Sequence, residues 1–165
     1  YPGSPLIART LLRETDRLHL AELHPAEHAA LASNLRAPNV TVHRRDGLAL
    51  AASLCPPTPR RGVLLIDPSW EVKDDYAALP RRIRQIARTW NVGMIVLWYP
   101  ILRDAVHLPM LRALTGAHAD ALCSEVRFAP AREGHRMVGS GLFVVNPPFG
   151  LDDAAAELAA RFAAL

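Results

Sequence analysis

The sequence has few cysteines and no long apolar run. Its two cysteines, Cys55 and Cys123, stand in neither a metal-binding nor a redox spacing, which argues against a disulfide-rich scaffold. We therefore expect buried free thiols in a reducing cytosol. No apolar run reaches the ~18 residues that a membrane span needs, and no charged-then-apolar leader opens the chain. These absences predict a cytoplasmic protein without a membrane segment.

Lysine is also scarce, because Lys73 is the only one among 19 basic residues. The formal net charge is +3, a mild excess that suits a polyanionic partner. Arginine has a planar fork that fits phosphate and stacked bases better than lysine does. A composition rich in arginine and alanine also follows from a GC-rich genome, so charge alone does not identify a nucleic-acid partner.

The rest of the composition is that of a globular chain, with 165 residues, 50% hydrophobic and 21% charged. This length predicts one domain over residues 1–165, large enough to bury a core without disulfides or metal. Because the first residue is Tyr1 and not methionine, we expect the chain to be processed or to be a fragment.

Helical periodicity alternates with buried apolar runs along the chain. The predicted helices are Pro5–Glu14 with Ser4 as N-cap, Pro25 to before Pro38, Tyr76–Trp90, Leu102–Leu114 with a break near Pro109, and Asp152–Leu165. The predicted strands are Leu18–Glu22, Val40–His43, Gly62–Asp67, Gly93–Trp98, Ala121–Phe128 and Gly141–Val145. No helix separates the last two strands, so they are predicted to be antiparallel neighbours. The pattern predicts an open α/β sheet with helices on both faces, whose ligand site lies beyond the carboxyl ends of the strands.

Acidic residues follow the first two predicted strands. Glu22 can accept both ribose hydroxyls of a nucleotide, as an acidic residue does in dinucleotide-binding folds; the alternative is a solvated loop acid. Asp46 can take an adenine amino group while Gly47 lets the backbone approach, although a plain turn explains this isolated pair better.

The stretch Asp67-Pro68-Ser69-Trp70 is the most informative in the chain. It resembles the tetrapeptide of methyltransferases that act on the amino group of adenine or cytosine. The exocyclic nitrogen of these bases is a poor nucleophile, because its lone pair is delocalised into the ring. The Asp67 carboxylate and the Pro68 carbonyl would hold its hydrogens, and Trp70 would stack on the extruded base.

Two further motifs have weaker functional interpretations. Asn146-Pro147-Pro148-Phe149 fits the same tetrapeptide, but a strand followed by a rigid turn explains it better. His24 and His28 match the H-x-x-E-H zinc pattern. Pro25 puts His24 at the start of a helix, however, and no third ligand is indicated, so we expect no metal.

Two groups of basic residues remain, and each is either a solvated surface or a phosphate-binding face. One lies on the predicted helix Tyr76–Trp90, and the other lies in the connection between the last two strands. They comprise Arg81, Arg82, Arg84 and Arg88 in the helix, and Arg127, Arg132, His135 and Arg136 in the connection.

With these residues the chain resembles the RlmJ-type 23S ribosomal RNA adenine-N6-methyltransferases, which are S-adenosylmethionine-dependent enzymes of the Rossmann-like class. The similar stretches span almost the whole chain in the family's order. They are residues 1–9, Glu22-Leu23-His24-Pro25, Asp46-Gly47, residues 60–62 leading to Ile66-Asp67-Pro68, Leu97-Trp98-Tyr99-Pro100, and Ser140-Gly141 leading to Asn146-Pro147-Pro148.

The resemblance implies that S-adenosylmethionine is the cofactor and 23S ribosomal RNA the partner. It also implies roles for particular residues: Ser4, Glu22, Asp46, Gly47 and Asp67 contact the cofactor, and Asp67, Pro68 and Trp70 form the catalytic centre. Ser69 departs from the family's second proline, which loosens the expected geometry of the base pocket.

The resemblance further implies a first strand and a glycine-rich loop that are absent from this sequence. We therefore expect a fragment or a shortened relative with little activity of its own. The alternatives are a catalytically silent nucleic-acid-binding module of the same fold and a methyltransferase that acts on DNA adenine.

Overall fold

The computed structural model describes residues 3–70, 73–129 and 132–163. The chain divides into two compact units, Tyr1–Leu54 and Cys55–Leu165, and each contains its own sheet. The single domain expected over residues 1–165 stays a prediction. None of the described helices is both long enough and apolar enough to cross a membrane.

The first unit alternates three helices with two short strands. Its elements are α1 (Ser4–Leu11), β1 (Leu18–Ala21), α2 (Pro25–Asn34), β2 (Val40–His43) and α3 (Gly47–Leu54). The two strands are parallel, with Leu18 opposite Val40 and Ala21 opposite His43. Parallel pairing requires a crossover, which α2 supplies. The carboxyl ends of β1 and β2 therefore lie side by side.

Three details of the first unit differ from the prediction. The N-cap of α1 is Gly3, and Ser4 is the first helical residue, so the expected Ser4 cap is wrong. The same helix ends at Leu11, earlier than expected. Asp46-Gly47 does not enter an open loop, because Gly47 begins α3.

The second unit contains a four-stranded mixed sheet. Its elements are β3 (Val63–Ile66), α4 (Lys73–Thr89), β4 (Met94–Leu102), α5 (Leu108–Ala117), β5 (Leu122–Arg127), β6 (Met137–Val145) and α6 (Leu151–Ala163). The strand order is β3-β4-β6-β5. β3 and β4 are parallel, whereas β6 is antiparallel to both of its neighbours. The predicted antiparallel pairing of the last two strands is confirmed.

The most extensive core of the described residues lies in the second unit. Alternate residues of β4 turn to one face, where Ile95, Leu97 and Tyr99 are fully buried, as the two-residue period of a strand requires. Helix α4 buries Leu79 and Ile83, which are four positions apart and therefore share one helical face. In the first unit, the buried apolar residues are Leu35, Leu50 and Ala51.

Several boundaries in the second unit differ from those expected. β4 continues to Leu102, so Tyr99 lies inside the strand and not beyond its end. The predicted break at Pro109 is wrong, because Pro109 stands in the first turn of α5, where its missing N–H has no partner to lose. β6 begins at Met137 rather than Gly141. α4 begins at Lys73 rather than Tyr76.

Candidate active site

Glu22 directly follows β1 at the carboxyl end of the parallel pair. Its N–H donates to the carbonyl of His43 at 3.0 Å, which extends the ladder by one step. Its carboxylate oxygen Oε1 accepts the N–H of His24 at 2.7 Å. The loop between β1 and α2 thus fixes one oxygen of Glu22, and the second oxygen can accept hydrogen bonds from a ligand.

Asp46 and Gly47 lie at the same end of the parallel pair. Asp46 Oδ1 accepts the N–H of Ala49 at 2.7 Å, and its carbonyl accepts the N–H of Leu50 at 2.9 Å. These two bonds make Asp46 the N-cap of α3. A Cβ added at Gly47 would meet only the Cβ of Ala21, at 3.7 Å, among the described atoms. The space beside the Gly47 backbone is therefore open.

The other residues of interest in the first unit have different positions. Ser4 begins α1 and, in the described part of the chain, shares no hydrogen bond with Glu22 or Asp46. Sequence reasoning missed a histidine pair, in which His19 Nδ1 lies 3.1 Å from His43 Nε2. Strand alternation places both histidines on one face of the pair, so this contact was predictable from the pattern.

Asp67 directly follows β3 in the second unit, as predicted. Partial burial raises the pKa of its carboxyl group, because desolvation disfavours the charged form. In the described residues neither carboxylate oxygen accepts a hydrogen bond. A carboxylate that is exposed at a strand end, and that has no hydrogen-bond donor among the described residues, is suited to accept hydrogen bonds from a ligand.

Trp70 adopts a left-handed backbone conformation with φ of 60°, which is uncommon for a bulky residue. Its ring packs on Tyr76 of α4, with ring centroids 4.6 Å apart and an interplanar angle of 47°. Burial, and then the charge of Asp104, raise the pKa of Tyr76. Asp104 in turn forms an ion pair with Arg136. Trp70 is thus held by an aromatic contact next to a charged pair.

Sequence reasoning missed Tyr76 and Asp104 as neighbours of this centre. Tyr76 is the ninth residue after Asp67, and only the start of α4 brings it back to Trp70. Arg136 comes from the connection before β6, where its carbonyl accepts the N–H of Arg103, the residue after β4, at 3.0 Å. No local motif encodes the meeting of these three segments, which are distant in the sequence.

Asn146 lies at the opposite edge of the sheet from Asp67, because β6 runs antiparallel to β4. The tetrapeptide at Asn146 therefore does not lie at the end of the sheet that carries Asp67. The Asn146 amide donates to the carbonyls of Asn91 at 3.1 Å and Gly93 at 2.8 Å. These bonds fasten the end of β6 to the start of β4, which agrees with the structural interpretation of Asn146-Pro147-Pro148-Phe149.

The H-x-x-E-H pattern has the geometry of a helix start. His24 is the N-cap of α2, Pro25 follows it, and the N–H of His28 donates to the carbonyl of His24 at 2.9 Å. Within residues 3–70, 73–129 and 132–163, no three histidine, cysteine or acidic side chains cluster as metal ligands would.

The basic residues have two different environments. In the connection before β6, Arg136 pairs with Asp104, and at the end of β5 Arg127 pairs with Glu125 at 3.4 Å. On α4, Arg81 and Arg84 are exposed and line a groove next to α5. The second set keeps its charge available to a partner.

An α/β sheet with an Asp-Pro-x-aromatic turn after a parallel strand is typical of methyltransferases that act on amino groups. The fold is similar to that of human methyltransferase-like protein 13 in complex with SAH, with a TM-score of 0.60 and 18% identity over 96% of this chain and 75% of that chain. At this identity the likeness shows the fold alone.

The family is shown by the sequence. The family model described as "Ribosomal RNA large subunit methyltransferase D, RlmJ" matches residues 1–164, and the chain belongs to this family. Two relatives are named ribosomal RNA large subunit methyltransferase J. The one from Escherichia coli is 37% identical over 92% of this chain. The one from Haemophilus influenzae is 34% identical over 96% of it.

The chain spans 55% and 57% of the length of these two relatives. A solved structure, that of protein LPL1258 from Legionella pneumophila, matches with a TM-score of 0.88 and 32% identity. That match covers 98% of this chain and 60% of the Legionella chain.

Proposed function

We propose that the protein containing this chain methylates N6 of an adenine in 23S ribosomal RNA, with S-adenosylmethionine as the methyl donor. Membership of the RlmJ family supports this activity. The single observation that carries it is the turn after β3, where the Asp67 carboxylate accepts no hydrogen bond from the described residues and Trp70 is fixed against Tyr76. A cytoplasmic location would follow from this substrate.

The cofactor residues in the proposal are Ser4, Glu22, Asp46, Gly47 and Asp67. When bound, the cofactor supplies an activated methyl group. The free oxygen of Glu22 would accept ribose hydroxyls, and the open space beside Gly47 would admit the cofactor close to the backbone. Asp46 also caps α3, so only its second oxygen would be available to a ligand.

Asp67, Pro68 and Trp70 would position the adenine. The Asp67 carboxylate and the Pro68 carbonyl would accept the two hydrogens of the exocyclic amine, which turns its lone pair out of the ring plane. Trp70 would stack on the extruded base, a contact worth about 1–3 kcal/mol. Most of the rate enhancement would then come from orientation. After transfer, one amine proton has to leave, and the Asp67 carboxylate lies at that nitrogen.

The proposal includes a further strand, with a glycine-rich loop, supplied by the rest of the protein. In the described residues β3 pairs on one side only, with β4. Two of its four residues are exposed and apolar, Val63 at 61% and Leu65 at 45%. An apolar edge strand of this kind is normally paired or covered, which supports a neighbouring strand at this edge.

Methyl transfer by the intact protein tests the proposal. The substrate is 23S ribosomal RNA that lacks the modification, and the readout is incorporation of labelled methyl groups. Asp67→Asn should lower kcat by at least about 100-fold, because the amide is a weaker acceptor and adds two hydrogens of its own. Asp120→Asn is the matched control, since Asp120 is exposed and precedes β5 at the other edge of the sheet.

The same assay separates the alternatives. Equal turnover by Asp67→Asn would contradict the role of this carboxylate. Preferred methylation of DNA oligonucleotides would indicate a DNA adenine methyltransferase. RNA binding without methyl transfer and without cofactor binding would indicate the catalytically silent module.

A further inference from the structure

A surface groove of about 450 Å³ lies between α4 and α5 in the second unit. Its wall is mainly apolar and includes Pro80, Val106 and Pro109, of which Val106 is exposed. Pro80 stands inside α4, where its ring replaces a backbone donor. Both helices of the groove are well-packed on their inner faces, with Leu79, Ile83, Leu111 and Leu114 buried. The groove therefore lies on the outer side of two helices whose inner faces are packed in the core.

The charge of the groove has one sign. Arg81 and Arg84 are its charged residues, and none of the residues that line it in the described structure is acidic. In the described part of the chain, neither arginine forms an ion pair with a carboxylate. Burial, and then the Arg84 charge, lower the pKa of His118 at the end of α5. Arg84 is therefore close enough to the end of α5 to act on His118, and its exposed charge would attract an anion to the groove.

The groove continues to the proposed base-binding residues. Tyr76 lines one end of it. The Tyr76 ring also packs on the ring of Trp70, with ring centroids 4.6 Å apart. A nucleic-acid strand whose target base lies on Trp70 would therefore pass Tyr76 and enter the groove. This continuity distinguishes the groove from an unrelated surface depression.

An apolar wall beside two exposed arginines matches the chemistry of single-stranded RNA. Unstacked bases pack on apolar, aromatic and guanidinium surfaces, and phosphates bind arginine forks. An acidic peptide would use the arginines but not the length of apolar wall. A duplex presents phosphates without accessible base faces, and it would leave that wall uncovered.

We propose that the α4–α5 groove binds the RNA strand flanking the target adenine, with Arg81 and Arg84 on its phosphates and Pro80, Val106 and Pro109 against its bases. The inference rests on the proposed function for the identity of the nucleic acid. It adds a binding surface on α4 and α5 to the residues after β3.

The binding test compares two double variants of the intact protein. Arg81→Gln with Arg84→Gln removes both groove charges, whereas Arg82→Gln with Arg88→Gln removes two exposed charges of the same helix outside the groove. The probe is a fluorescein-labelled single-stranded RNA with one central adenine, titrated at several salt concentrations. Each lost phosphate contact should reduce the slope of log K against log salt by about 0.7. The groove variant should therefore lose about 1.4 and the control close to none.

A second pair of variants tests the groove without removing a contact. Ala113 is an exposed groove residue of α5, and Ala78 is an exposed residue of α4 outside the groove. Ala113→Glu should weaken RNA binding at least tenfold by placing a negative charge beside the phosphates. Ala78→Glu should change binding less than twofold.

Three results would overturn the proposal. If both double arginine variants lost the same slope of log K against log salt, RNA binding would depend on the charge of the whole surface and not on the groove. A melting temperature lowered by the groove variant, with RNA binding unchanged, would mean that protein covers the groove. Tighter or equal binding by Ala113→Glu would exclude phosphates there. Because these measurements do not need methyl transfer, absence of turnover in the wild type would contradict the proposed function separately.

Discussion

At the residue scale, the contact between Tyr99 and Gly141 gives the sharpest prediction. Tyr99 is fully buried, its hydroxyl donates to Glu125 at 3.1 Å, and its ring lies across Gly141. A Cβ added at Gly141 would come within 2.1 Å of that ring, which a buried aromatic cannot avoid. Gly141→Ala should therefore destabilise the second unit by about 1–3 kcal/mol, measured by denaturant unfolding followed by tryptophan fluorescence.

Gly116→Ala is the control for this prediction. Gly116 lies in α5 and an added Cβ meets nothing within 4 Å. Alanine there should be neutral or stabilise by up to about 1 kcal/mol, since glycine is a poor helix former. Equal stability of the two variants would contradict the packing argument.

The sequence predicted Tyr99 just beyond the end of its strand, whereas Tyr99 lies inside β4. Trp98-Tyr99-Pro100 looks like the end of a strand, because proline normally interrupts a ladder. β4 nevertheless continues through Pro100, which pairs with Ser140 of β6. The register that puts Tyr99, Gly141 and Glu125 in one row is set by pairing between distant segments, and no local pattern contains it.

At the element scale, α3 is the main element that the sequence analysis missed. Asp-Gly is a common turn pair, so Asp46-Gly47 was expected to open a loop. The same aspartate is also a good N-cap, and residues 48–54 are mostly leucine and alanine, which favour a helix. The choice between turn and cap depended on those following residues. By contrast, β2 was predicted with its observed boundaries.

The start of α3 also provides a test of cofactor binding. Gly47→Ala should leave the fold unchanged or stabilise it by about 0.4–1 kcal/mol, because its added Cβ meets only Ala21 at 3.7 Å. The methyl group would occupy the space that the proposal gives to S-adenosylmethionine. Calorimetry on the intact protein should therefore show at least tenfold weaker cofactor binding, with an unchanged or higher melting temperature. Unchanged affinity would mean that Gly47 serves the helix start alone.

At the scale of the whole molecule, the sequence predicted the α/β class and the positions along the chain of the six described strands. The position of Asp67 after its strand was also predictable, because a continuous apolar run ends there. The Trp70–Tyr76 contact and the α4–α5 groove were not, since each depends on how separate elements pack. Asn146 shows the same limit. Its motif is local, but the direction of its strand places it at the other edge.

Histidines whose ionisation is opposed by the fold should make the second unit sensitive to acid. His107 is 1% exposed and packs on Tyr99 with ring centroids 5.7 Å apart. Burial lowers the pKa of His107; among its charged neighbours Glu125 and Asp104 oppose this and Arg127 adds to it. The unfolded chain therefore binds the proton more readily than the folded chain. Stability should be complete above the ordinary histidine pKa of about 6.5 and fall as the pH drops below it.

This acid sensitivity can be measured in the second unit alone, because the three tryptophans, Trp70, Trp90 and Trp98, all lie there. Urea unfolding followed by tryptophan fluorescence should give a lower free energy of unfolding at pH 5.5 than at pH 8, by up to about 1.4 kcal/mol per pH unit for each histidine. The raised pKa of Asp67 has the opposite sign, but it acts nearer the ordinary carboxyl range of about 4. His107→Phe keeps a planar ring against Tyr99 without a titrating group, so it should reduce the difference between the two pH values. If His107→Phe kept the full wild-type difference in the free energy of unfolding between the two pH values, the acid sensitivity would arise elsewhere. Burial also lowers the pKa of His118, so His118 would then be the next residue to replace.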